Sequence, residues 1–81
     1  MKIDYTETAL ENLRTAPQNI QKAFFKQIKF LVGNIRHPSL HAKKYDEASG
    51  LWQARITQSW RFYFLILGGL YIIVAIRNHP K

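Results

Sequence analysis

The sequence has no cysteine, which excludes disulfides and thiolate metal sites. Acidic residues are scarce. Five Asp and Glu stand against twelve Lys and Arg, a net charge of +7 in 81 residues. So strong a bias predicts an acidic partner drawn in by long-range attraction, and nucleic acid, an anionic membrane or an acidic protein would each qualify. No Pro/Gly/Ser-rich or low-complexity stretch marks a linker or tail. The longest apolar run, Phe62 to Val74, is broken by Gly68-Gly69 and is too short to cross a bilayer as a helix. The first residues lack the basic and apolar segments of a secretory leader. A cytoplasmic setting without a membrane is therefore expected, which puts nucleic acid first among the partner classes. No acidic cluster accompanies His37 or His41, so both read as loop residues and no metal site or cofactor is expected.

What is present suffices for one core and hardly a second, and the expectation is one domain over residues 1–81. Lys2-Ile3-Asp4-Tyr5 alternates like a short strand, and Thr6 or Thr8 is placed to cap a helix containing Leu10 and Leu13, which Pro17 ends. From Gln18 to about Ile35, the apolar residues Ile20, Phe24, Phe25, Ile28, Leu31, Val32 and Ile35 recur at helical spacing. Lys22, Lys26 and Lys29 fall opposite them. Gly33-Asn34 and His37-Pro38 mark the end of this helix and a loop.

The remainder reads as sheet. Leu51 to Gln58, Trp60 to Leu67 and Leu70 to Arg77 are rich in β-branched and aromatic residues, Gly68-Gly69 is a hairpin signal, and a shorter strand fits Ala42 to Tyr45. The expected class is α+β: a short N-terminal strand, two helices, then a three- to four-stranded antiparallel sheet with the helices on one face. Strand alternation assigns Trp52, Ala54 and Ile56, then Trp60, Phe62, Phe64 and Ile66, then Leu70, Ile72, Val74 and Ile76 to the core. Opposite parity puts Gln53, Arg55, Thr57, Arg61, Tyr63, Tyr71, Ala75, Arg77 and His79 on the uncovered face. Guanidinium groups beside a phenol and an imidazole suit an RNA strand, since Arg pairs bidentately with phosphate and aromatics stack on bases.

The run Ser49-Gly50-Leu51-Trp52-Gln53-Ala54-Arg55-Ile56, followed by Ser59-Trp60-Arg61-Phe62-Tyr63, resembles the strand pattern of the RelE/ParE toxin superfamily. Ala75-Ile76-Arg77-Asn78-His79 resembles the "R-x-H" close of YoeB-like members, and His37-Pro38-Ser39-Leu40 with Lys43-Lys44 fits the loop and basic strand that precede the core motif. For the ribonuclease branch, the resemblance implies a metal-independent endoribonuclease acting on mRNA in the ribosome, where the nucleotide's 2′-hydroxyl attacks its own 3′-phosphate. It makes Arg61 and His79 the catalytic pair, Arg61 bracing the phosphate and His79 exchanging a proton near neutral pH. Arg55, Arg77, Lys43 and Lys44 become nucleic-acid-binding residues, and an acidic antitoxin becomes the protein partner.

This sequence departs from YoeB-like members at two places. Alignment on Gly50 puts Ala42 where they carry a glutamate base, and Pro80 and Lys81 follow His79 where they carry a tyrosine. The base would then be a lysine or His79 itself. Glu47 is a further candidate, although it lies in the expected Asp46 to Gly50 turn. Two other readings share the fold: a ParE-like inhibitor of DNA gyrase without nuclease chemistry, and a nontoxic member that only binds nucleic acid or an antitoxin.

Overall fold

Thr6 separates the first strand from the first helix because its side chain does two jobs at once. Its Oγ1 accepts from the Ala9 N–H and donates to the Val74 carbonyl, both at 3.1 Å, so the helix cap is also tied to the sheet. A computed structural model describes residues 1–79 and gives the order β1 (Lys2–Tyr5), α1 (Glu7–Thr15), α2 (Gln18–Gly33), a 3-10 turn (Pro38–Leu40), β2 (Lys43–Asp46), β3 (Leu51–Arg55), β4 (Trp60–Leu67) and β5 (Leu70–Asn78). Ala16 is extended, as the residue before a proline prefers, and Pro17 opens α2 without needing an N–H of its own. Two helices and a meander of strands thus appear in the expected order.

All the strands join one sheet, ordered β1-β5-β4-β3-β2. It is mixed and five-stranded, because β1 lies parallel to β5 with Ile3 beside Tyr71 and Tyr5 beside Ile73. The other pairings are antiparallel. Leu67 and Leu70 pair across Gly68-Gly69, and Gly68 takes the left-handed φ of 58° that the tight turn requires.

The core lies between the helices and one face of the sheet. Phe24, Phe62, Phe64, Leu31, Leu40 and Ile73 are its largest fully buried side chains, and Phe24 meets Phe62 edge-on at 5.4 Å. On α2 the buried stripe is Ile20, Phe24, Gln27, Ile28 and Leu31. Phe25 and Val32, grouped by periodicity with the apolar stripe, lie outside it and are exposed, as is Leu10 on α1. Gln27 is buried among hydrophobes because its amide is satisfied: Nε2 donates to the Ser39 carbonyl at 3.1 Å and the Arg55 carbonyl at 2.8 Å.

One irregularity changes the expected sheet faces. Opposite β4, Tyr63 pairs with Ala75 but Phe64 pairs with Ile73, so Val74 is an extra residue that reverses the alternation of β5. Ile76 stays in the core as expected. Before the bulge, Tyr71 and Ile73 take the core positions that simple parity gave to Leu70, Ile72 and Val74. Tyr71, expected on the uncovered face, packs edge-on against Phe64 instead. Ile66 lies near the hairpin tip and is exposed rather than buried.

Candidate nucleic-acid interface

Strand register builds the site. Arg55 is directly opposite Arg61, and Arg61 is directly opposite Arg77, so three guanidinium side chains form one row across β3, β4 and β5. β1 pairs with β5 only from Leu70 to Ile73, so this end of the sheet has three strands. The bulge at Val74 matters here. It lets the early part of β5 bury Tyr71 and Ile73 while Ala75 and Arg77 remain beside Tyr63 and Arg61. A second row on the same face runs Lys43, Gln53, Tyr63, Ala75.

Like charges directly opposite one another on a sheet destabilise it. Among the described residues, the only ion pairs are Arg14 with Glu11 and Lys44 with Glu47, and neither involves the arginine row. The Arg55 Nε is buried with no hydrogen-bond partner among those residues. Arg61 is partly restrained: its Nη1 donates to the carbonyls of Thr57 (2.8 Å), Gln58 (2.7 Å) and Trp60 (3.3 Å), bracing the turn before its own strand. Arg61 also lines a cavity of about 390 Å³, together with His41, Ala42, Lys43, Gln53, Ala54 and Arg55. A pocket with four basic side chains and no carboxylate is suited to a phosphate or another oxyanion.

His79 stands at the other end of the arginine row. Its backbone N–H donates to the Ser59 carbonyl, which carries the chain past the end of β5 and fixes the ring's position. The ring Nε2 lies 2.6 Å from the Tyr63 hydroxyl. Gln53 Nε2 donates to that same hydroxyl at 3.1 Å, so Gln53, Tyr63 and His79 form one hydrogen-bonded chain that orients the imidazole and leaves its Nδ1 free of Tyr63. Tyr63 is buried, and its ring is held edge-on by Tyr45 at 5.1 Å.

The sheet therefore brings Lys43, Arg55, Arg61, Arg77 and His79 to one face. It does not bring Lys44 there. Lys44 pairs with Trp52 in register, so alternation turns it to the helix side, where its ammonium lies 5.7 Å from the Trp52 ring centroid and 3.6 Å from Glu47. Glu47 is accordingly engaged away from His79. Pro80 and Lys81, where YoeB-like members carry a tyrosine, lie outside the described residues. His41, expected as a loop residue without a role at the site, lines the cavity. Its left-handed conformation (φ 47°, ψ 41°) at the end of the 3-10 turn brings it into the cavity wall, and no local sequence signal marks such a backbone. Among the described residues, no three His, Asp or Glu side chains cluster as metal ligands. No helix among them is long and apolar enough to cross a membrane.

No family model matches the chain, and no curated protein matches it by sequence. Solved structures do match. A YoeB/ParE toxin from Agrobacterium tumefaciens superposes with a TM-score of 0.81 at 16% identity, covering 99% of this chain and 100% of that one. The fold is that of the RelE/ParE-like toxins. An archaeal RelE-RelB complex from Pyrococcus horikoshii OT3 (TM-score 0.80, 12% identity, 99% and 96% coverage) agrees. So does a YoeB dimer from Staphylococcus aureus (0.80, 15%, 99% and 98%). Within this RelE/ParE-like fold, the arginine row, His79 and the cavity occupy the sheet face that the helices leave open.

Proposed function

We propose that the protein is the toxin of a toxin-antitoxin pair and acts as a ribosome-dependent, metal-independent endoribonuclease on mRNA. The observation that carries this reading is the row Arg55, Arg61, Arg77, in no ion pair with a carboxylate among the described residues and flanked by an oriented imidazole. In the reaction, the O2′–P bond forms as the P–O5′ bond breaks, leaving a cyclic phosphate and a 5′-hydroxyl. Negative charge grows on the phosphate, where fixed guanidinium groups stabilise it most. His79 acts as the imidazolium: its Nε2–H donates to the Tyr63 hydroxyl, and Nδ1–H passes its proton to the departing 5′-oxygen, leaving a neutral imidazole. The 2′-hydroxyl proton goes to the opposite side of the row, where His41 and Lys43 line the cavity.

A chain of 81 residues has little surface left for positioning its substrate. The ribosome supplies that positioning, which contributes about 7 to 11 kcal/mol in well-oriented reactions. The partner is an acidic antitoxin. Its charge complements the +7 of this chain, and several solved structures of the same fold are toxin-antitoxin complexes, among them the intact E. coli RelBE complex. Inhibition of DNA gyrase without nuclease chemistry is the second reading, favoured by Ala42 in the cavity where a YoeB-like base would stand. Induced expression separates them: rapid arrest of protein synthesis with intact DNA is expected, whereas DNA breaks with continuing translation overturn the nuclease reading.

A further inference from the structure

A second cavity, of about 410 Å³, adjoins the arginine row on the same sheet face. Tyr45, Leu51, Tyr63 and Val74 form its apolar part, and Arg77 and His79 stand at the edge nearest the row. Tyr45 is the notable member. It falls at the irregular position between Lys44 and Asp46 in β2, yet its side chain is on the open face, 56% exposed, with its ring edge-on to buried Tyr63. An aromatic ring so exposed, held by a second ring beneath it, offers a preformed flat surface at little cost in side-chain freedom.

We propose that this cavity is a nucleobase subsite, in which Tyr45 stacks on the base of a nucleotide whose phosphate lies on Arg61 and Arg77. The proposal rests on the endonuclease reading and adds where the substrate's base is held. Continuity decides the occupant. Arg77 belongs both to the cavity and to the phosphate-binding row, so the ligand must join a flat, largely apolar body to an anionic group one strand spacing away. A nucleotide has that build. With Arg77 on the phosphate and His79 engaged by Tyr63 and the leaving oxygen, the hydroxyl of Thr8 is the polar side-chain group available to the base edge. Stacking itself is tolerant of base identity, so any preference among bases comes from that hydroxyl.

The test uses the whole protein and two probes, 2′-deoxyadenosine 3′-phosphate and the abasic 2-deoxyribose 3-phosphate, followed by NMR titration. The nucleotide is expected to bind about 5- to 150-fold more tightly than the sugar phosphate and to shift the methyl signals of Leu51, Val74 and Ala75. Tyr45→Ala should remove that advantage without changing sugar-phosphate affinity, and Tyr45→Phe should restore it. Equal affinity for the two probes, both dependent on Arg61, overturns the subsite while leaving the phosphate row intact. In that case the apolar cavity belongs to a protein partner's side chain. Binding of neither probe overturns the subsite and the phosphate-binding reading together.

Discussion

Replacing Arg77 by Gln should make the protein more stable while weakening its hold on RNA. Arg77 is exposed at the end of β5 and directly opposite Arg61, which is itself opposite Arg55. Neighbouring strands place paired Cα atoms about 4.5 to 5.5 Å apart, and splayed guanidinium groups then sit at roughly 7 Å. At that separation the repulsion in water is about 0.6 kcal/mol per pair, reduced to about 0.2 to 0.3 kcal/mol at physiological ionic strength. Cross-strand pairs of like charge fall in the same range, about 0.2 to 1 kcal/mol. For a domain of this size, 1 kcal/mol corresponds to roughly 4 to 8 °C in Tm. Arg77→Gln is thus expected to raise Tm by about 1 to 5 °C at low salt, measured by calorimetry, and by much less in 1 M NaCl. A lower Tm, or a gain that salt leaves unchanged, would refute the argument that the row is held together against its own repulsion.

Phe62→Ala should destabilise the fold by about 3 to 5 kcal/mol in urea titrations, since Phe62 is wholly buried between Phe24 and Phe64. A small effect would mean that the sheet faces are wrongly assigned. Tyr63→Phe keeps the ring but removes the hydroxyl that orients His79, so single-turnover cleavage should slow by roughly 2- to 12-fold. The ¹⁵N shift of His79 Nε2 should move when its hydroxyl partner is removed, and an unchanged shift would dismiss Tyr63 as the orienting group. Burial raises the Tyr5 phenol above its ordinary 10.0. The unfolded chain therefore ionises first, and stability is constant below pH 10 but falls as pH rises toward the raised folded value. Tyr5→Phe should flatten that alkaline slope in urea midpoints taken from pH 9 to 11.

The order of elements was legible because each carries a local signal: the Thr6 cap, the helical spacing from Ile20 to Leu31, and the glycine pair in the last hairpin. The three sheet arginines were legible for the same reason, since alternation alone puts Arg55, Arg61 and Arg77 on one face. Alternation failed at Val74, because a bulge is set by how two strands meet and not by either strand's own pattern. Tyr71 was misplaced by that one residue. Gln27 was invisible as a core residue because its partners, the Ser39 and Arg55 carbonyls, are brought to it only by tertiary folding. The same holds for His41. Lys43 and Lys44 looked equivalent as neighbours in the chain, and the sheet separates them to opposite faces.

The central claim is that this face cuts RNA held by the ribosome, and single-turnover cleavage of mRNA on programmed ribosomes tests it most directly. The parent protein should cut ribosome-bound mRNA well and naked RNA poorly. His79→Gln should slow the chemical step by about 100- to 10,000-fold with little change in binding. Arg61→Ala should weaken both binding and rate, because Arg61 meets the phosphate before and during the reaction. Absence of cleavage by the parent, or an unchanged rate in His79→Gln, would contradict the account.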